Sequence, residues 1–116
     1  MGDYKIETSY EQILDNFSPF RFVNIVKGAV PKTFADLPDQ EYGLVFYDCD
    51  LYEPAKATFE YFWPRMNNGG VLLVGDYVCE KGGFEGVKKA ADEFFASKRV
   101  EILPFWENTI GVAIKK

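Results

Sequence analysis

Leu44-Val-Phe-Tyr-Asp48-Cys-Asp50 and Gly70-Val-Leu-Leu-Val-Gly-Asp76 are two apolar runs that each end in acid. Short continuous apolar stretches bounded by turn signals are the mark of strands covered on both faces. A strand buried in that way holds no carboxylate, so Asp48, Asp50 and Asp76 belong where the strands stop. In open α/β sheets the carboxyl ends of the strands form the ligand-binding rim. The two runs therefore set the fold class and mark the place of any chemistry.

The flanking segments read as follows. Ser9 caps a helix whose Tyr10, Ile13, Leu14 and Phe17 share one face, and Pro19 ends it. Residues 22–26 are predicted to form a strand, and residues 31–38 a short connection with a turn around Phe34 and Leu37. Pro54 suits the first turn of a helix carrying Ala55, Phe59, Phe62 and Trp63, which Pro64 closes. Asn67-Asn-Gly-Gly70 is a turn cluster, and Gly82-Gly83 opens a helix with Phe84, Val87, Ala91, Phe94 and Phe95 at the 3.6 period. Residues 100–105 and 109–114 are close enough to form an antiparallel hairpin. Strands joined by helical crossovers are parallel. The fold class is thus α/β: a partial doubly wound, mostly parallel sheet with a C-terminal antiparallel hairpin. The aromatics at helical spacing, Phe59, Phe62, Trp63, Phe94 and Phe95, are core.

Composition narrows the function. The 116 residues, 47% hydrophobic and 27% charged, make one globular domain spanning 1–116. A formal charge of −5 with only scattered basic pairs speaks against nucleic acid as a partner. No apolar run approaches the roughly 20 residues of a membrane span. Two cysteines, Cys49 and Cys79, without metal spacing, make a cytoplasmic protein with reduced thiols the default expectation. The sequence contains no histidine, which excludes Ser–His, Cys–His and zinc–imidazole chemistry within these residues. Acid–base work falls to carboxylates, lysine, tyrosine or cysteine.

Asp48, Asp50 and Asp76 converge if the two acid-ended strands are neighbours. Three hard oxygen ligands at one rim suit Mg²⁺, and a carboxylate left free would accept a proton from a coordinated hydroxyl. Strand-end aspartates also cap turns, but Asp-x-Asp with a third acid on the adjoining strand goes beyond that need. Tyr52 and Tyr77, directly after the acids, either line a substrate pocket or pack.

Three stretches carry a resemblance: Asp48-Cys-Asp-Leu-Tyr-Glu53, the run from Trp63 through Gly70-Val-Leu-Leu-Val-Gly-Asp-Tyr77, and Gly86-Val-Lys-Lys-Ala-Ala-Asp-Glu-Phe94. Together they resemble the macrocin O-methyltransferase family, class I S-adenosylmethionine-dependent enzymes with a seven-stranded α/β sheet. Gly2-Asp-Tyr, residues 9–17, Val26-Lys-Gly28 and Thr33 extend the likeness over essentially the whole chain. The resemblance implies that Asp48 and Asp76 ligate a metal and that Asp50 is the general base. Gly75 stands where the family has the first acid of its Asp-Asp-Tyr, which weakens Mg binding unless water or Glu80 substitutes. The family's glycine-rich cofactor loop and the acid that holds the ribose have no counterpart, so no residue is assigned to the cofactor S-adenosylmethionine. Gly82-Gly83 is no substitute for that loop.

The chain is therefore expected to be the C-terminal portion of the fold. The family's strand order, 3-2-1-4-5-7-6, places the missing strands between residues 22–26 and 43–47. An open apolar edge at residues 43–47 predicts a homodimer through that edge or a rearranged sheet. The leading function is methyl transfer to a hydroxyl of a small molecule, with activity of this length of chain in doubt. The alternatives are a non-catalytic interaction module and an Asp-x-Asp phosphotransferase or phosphatase, against which Leu51-Tyr52 replaces the usual Gly-Thr.

Overall fold

The computed structural model describes residues 9–78, 85–107 and 109–116. The chain divides into two compact units, 1–36 and 37–116.

In the first unit, helix α1 (Tyr10–Phe17) begins at Ser9, whose side chain accepts a hydrogen bond from the Gln12 amide at 3.1 Å. That satisfies one of the amides a helix N-terminus leaves unpaired. A 3₁₀ turn spans Lys32–Asp36. The strand predicted at residues 22–26 is absent. The Val23 amide is spent on a turn to the Phe20 carbonyl, and Phe22 is 82% exposed. Apolar composition supplies a strand's side chains but not its hydrogen-bond partner, and no described strand pairs with this segment.

The second unit holds the sheet. Strands β1 (Tyr42–Tyr47), β2 (Met66–Val74), β3 (Leu103–Phe105) and β4 (Ile110–Ile114) lie in the order β1-β2-β4-β3. β1 and β2 are parallel, with Tyr47 opposite Val74, and β4 is antiparallel to both β2 and β3. This is the order 4-5-7-6 implied for the C-terminal part of the resembled fold. Helix α2 (Tyr52–Phe62) forms the crossover between the parallel strands, and α3 (Glu85–Ser97) lies between β2 and the hairpin. Pro54 occupies the third position of α2, where a missing amide proton costs nothing.

Both helices cover one face of the sheet. Phe59 and Phe95, wholly buried, meet Val45, Leu72, Val74 and Ala113, with Trp63 edge-on to Phe95. Phe62 and Phe94 pack on this core, half-buried. The expectation that β1 is covered on both faces is corrected: Val45 and Tyr47 point inward, while Leu44 and Phe46 are 64% and 56% exposed. A continuous apolar run cannot reveal which of its faces finds a partner.

The Asn67–Gly70 turn is also revised. These residues fall inside β2. Register moves from Tyr42↔Met66 to Leu44↔Val71, so four residues of β2 oppose Gly43 alone. Gly69 takes φ +83°, a left-handed conformation open to glycine, and the Gly70 carbonyl accepts from Lys115 at 2.9 Å. The turn chemistry is spent on a bulge within a paired strand.

Candidate functional site

Parallel pairing brings the ends of β1 and β2 to one rim. The Gly75 amide donates to the Tyr47 carbonyl at 2.8 Å, extending the pairing one residue past the end of β2. One carboxylate oxygen from each of Asp48, Asp50 and Asp76 then lies within 4.8 Å of the others, and all three residues are exposed. Three acids predicted from strand ends are therefore brought together.

Local geometry explains the convergence. Asp76 has φ +51°, a left-handed conformation that aspartate tolerates better than most residues. The backbone kinks there and carries on alongside β4, the following Tyr77 amide bonding to the Thr109 carbonyl at 2.8 Å. On the other strand, buried Tyr47 donates its hydroxyl to the Leu51 carbonyl at 3.0 Å, bracing the Asp48-Cys49-Asp50 loop. Burial, and then the neighbouring Cys49, push the Tyr47 hydroxyl up to about 12, so it remains a donor.

Gly75 makes room for the cluster. A Cβ there would stand 2.9 Å from Asp48 Oδ1, 3.0 Å from Phe46 Cε1 and 3.2 Å from the Tyr47 carbonyl oxygen. Loss of a ligand was the expected meaning of this glycine. The structure adds that its bare backbone is what allows Asp48 to lie over it.

The acids repel one another. Desolvation, then a hydrogen bond shared with Asp76 and the charges of Asp76 and Asp48, raise the Asp50 carboxyl above its ordinary value. Desolvation, with Asp48 and Asp50 beside it, likewise pushes the Cys49 thiol up, which makes it a poor nucleophile. Cys79, Glu80 and Gly82-Gly83 lie outside the described residues.

Tyr52 and Tyr77 turn their hydroxyls toward α3. Tyr52 donates to Glu93 Oε1 at 2.6 Å, which raises its own pKa. Tyr77 is buried, with its ring against Gly111, and its hydroxyl donates to Asp92, which also receives Lys88 at 2.5 Å. Burial and that hydrogen bond raise the Tyr77 pKa. Sequence reading missed Tyr47 as the brace and Gly86 as the close approach: a Cβ on Gly86 would lie 3.1 Å from Tyr52 Cβ. A glycine inside a helical apolar pattern was the available signal for the second. No helix among the described residues is long and apolar enough to cross a membrane.

A mixed sheet with acids gathered at the carboxyl ends of its parallel pair is a Rossmann-like α/β arrangement with its ligand rim at those ends. The profile of a methyltransferase domain family matches residues 3–77, well over half of the sequence, and the chain belongs to that family. A comparison with curated protein sequences found no match. Among solved structures, the O-methyltransferase NovP superposes with a TM-score of 0.78 at 22% identity, over 94% of this chain and 46% of its own. CalS11, a TDP-rhamnose 3′-O-methyltransferase of calicheamicin biosynthesis, gives 0.58 at 24% identity, over 73% of this chain and 36% of its own. The chain thus spans about half or less of these two proteins, and at such identities the likeness is one of fold.

Proposed function

We propose that this chain is the C-terminal part of an S-adenosylmethionine-dependent O-methyltransferase of the macrocin type, acting on a hydroxyl of a small molecule in the cytoplasm. The observation that carries the reading is the meeting of Asp48, Asp50 and Asp76 at the rim where such folds bind substrate. The Asp-Cys-Asp-Leu-Tyr-Glu stretch, and neighbours whose names are those of O-methyltransferases, support it.

The three carboxylates fit a divalent cation: all are hard oxygen donors, and their oxygens are close enough to share one ion. Asp48 and Asp76 would hold it, and it would acidify a coordinated hydroxyl. Asp50 takes the proton from the acceptor hydroxyl, as the one carboxylate of the three that the ion would leave free. Tyr47, Tyr52 and Tyr77 position this rim, the first by bracing the acid loop, the others by tying the rim to α3. The methyl donor has no such fit. Upstream of β1 the described residues hold a helix and a 3₁₀ turn, with no strand–glycine loop–helix cradle.

Calorimetry with Mg²⁺ and with S-adenosylmethionine tests the reading. Heat with Mg²⁺ that is lost in Asp48→Asn supports the rim assignment; no heat with either ligand refutes a competent site in this chain.

We also propose that two copies associate through β1. The far sheet edge, β3, is three residues long and contains Pro104, features that blunt an edge. β1 is six residues long and carries no charge or proline. A second copy laid antiparallel about Val45 would set Leu44 against Phe46 of its partner and Gly43 against Tyr47. Light scattering should give a dimer that Phe46→Lys dissolves; a monodisperse monomer would overturn the pairing.

A further inference from the structure

At the opposite end of the strands from the three acids lies a cavity of about 630 Å³. Lys115 and Ile114 mark its position, since Ile114 pairs with Val71 near the start of the apolar part of β2. From Val71 to Val74, where β2 ends, the strand already runs roughly 10 Å, and Asp76 lies beyond that end, so cavity and acid rim are separate places. The wall is apolar: buried Trp63, together with Val100, Leu103 and Ile114. The rim is cationic, with the side chains of Lys98, Arg99, Lys115 and Lys116 against one acidic side chain, that of Glu101.

These cations are poorly neutralised. Lys115 donates to the Trp63 carbonyl at 2.5 Å and lies 5.8 Å from that ring, which holds it at the wall. Lys98 sits over Phe94 at 5.6 Å. Among the described residues none of the four is in an ion pair; the one recorded there joins Lys88 to Asp92. In a chain of charge −5 such a concentration of positive charge is against the average. The C-terminal end of α3, at Ser97, offsets part of it, because helix carbonyls carry partial negative charge. That offset is equivalent to about half an elementary charge.

We propose that this cavity is a second ligand site, independent of the acid rim, that binds a small amphipathic anion: a flat apolar body bearing a sulfonate, carboxylate or phosphate. The volume is in the range that encloses drug-sized ligands, roughly 300–1,000 Å³. The aromatic and aliphatic wall takes the body, while the cations at the rim fix the anionic group. Unpaired cations around an apolar concavity also draw such a ligand from solution, an attraction that salt weakens.

The test uses the full chain and 8-anilinonaphthalene-1-sulfonate as probe, followed by fluorescence and by amide and indole NMR shifts. Binding should perturb the Trp63 indole, Val100, Leu103 and Ile114, and weaken several-fold between low and high salt. Arg99→Asn combined with Lys116→Glu should weaken binding at least about tenfold. Asparagine is chosen at 99 because φ there is +57°, which it accepts, so the variant keeps the fold. Lys116→Glu alone, at an exposed position, is the second variant and should lower affinity on its own. Shifts confined to Leu44 and Phe46, or affinity unchanged by both variants and by salt, would overturn the site.

Discussion

Replacing Gly75 by alanine tests whether a missing side chain arranges the acid rim. Its Cβ would stand 2.9 Å from Asp48 Oδ1, closer than real contacts allow, and 3.0 Å from Phe46 Cε1, a tight contact. Both obstacles are exposed side-chain ends and can swing aside, whereas the Tyr47 carbonyl at 3.2 Å is held by its bond to the Gly75 amide. Overpacking of this kind costs about 1–3 kcal/mol, and the yielding side chains put this case at the low end. Loss of unfolded-state freedom returns about 0.4–1 kcal/mol. The net is a destabilisation of about 0.5 kcal/mol, or a few degrees in Tm. The larger effect falls on Asp48, whose carboxylate must leave its place over residue 75. Mn²⁺ affinity by calorimetry should drop about tenfold, which is about 1.4 kcal/mol. Gly43→Ala is the control, because a Cβ there meets nothing within 4 Å. It should be neutral or slightly stabilising and leave the metal affinity alone. If Gly75→Ala matched Gly43→Ala in both Tm and affinity, the steric reasoning would be wrong.

Two more outcomes are expected. Asp50 has a raised pKa in the fold, so its ionised form is disfavoured there; stability is gained as pH falls through the folded value and is lost above it. Asp50→Asn should therefore raise Tm at pH 7 without divalent ions, and flatten the gain on acidification. Asp50 faces two carboxylates, each with an oxygen within 4.8 Å, and one pair of charges at that distance in water repels by about 1 kcal/mol, less in salt, so a stabilisation on the order of 1 kcal/mol is expected. A drop in Tm, measured by circular dichroism, would contradict this. Among the described residues the buried Tyr42 hydroxyl has no hydrogen-bond partner, while its ring packs edge-on against Phe62 at 5.0 Å. Tyr42→Phe should be neutral or stabilising by about 1 kcal/mol in urea titration. A loss of that size would show that the hydroxyl has a partner.

Much of the sheet was legible along the chain. The runs ending at Tyr47 and Val74, the crossover helix with Pro54 near its start and the terminal hairpin all rest on local signals: apolar period, turn residues and proline placement. The acids were legible for the same reason, because a buried strand expels carboxylates to its end whatever its neighbours are. Pairing is different, since it depends on residues distant in sequence. Residues 22–26 had the composition of a strand and found no partner, whereas Asn67–Gly70 had that of a turn and was drawn into β2 by Lys115 and Met66's partner Tyr42.

Sequence by itself determined that this is an α/β domain with three acids at strand ends, because side-chain hydrophobicity and backbone preference act over a few residues. Only the tertiary structure decided that Asp48, Asp50 and Asp76 meet, that Gly75 makes their room, that Tyr77 turns to α3, and that a cationic cavity opens at the other end. Those outcomes depend on strand register and on which faces touch, and both are set by contacts between residues far apart in the chain.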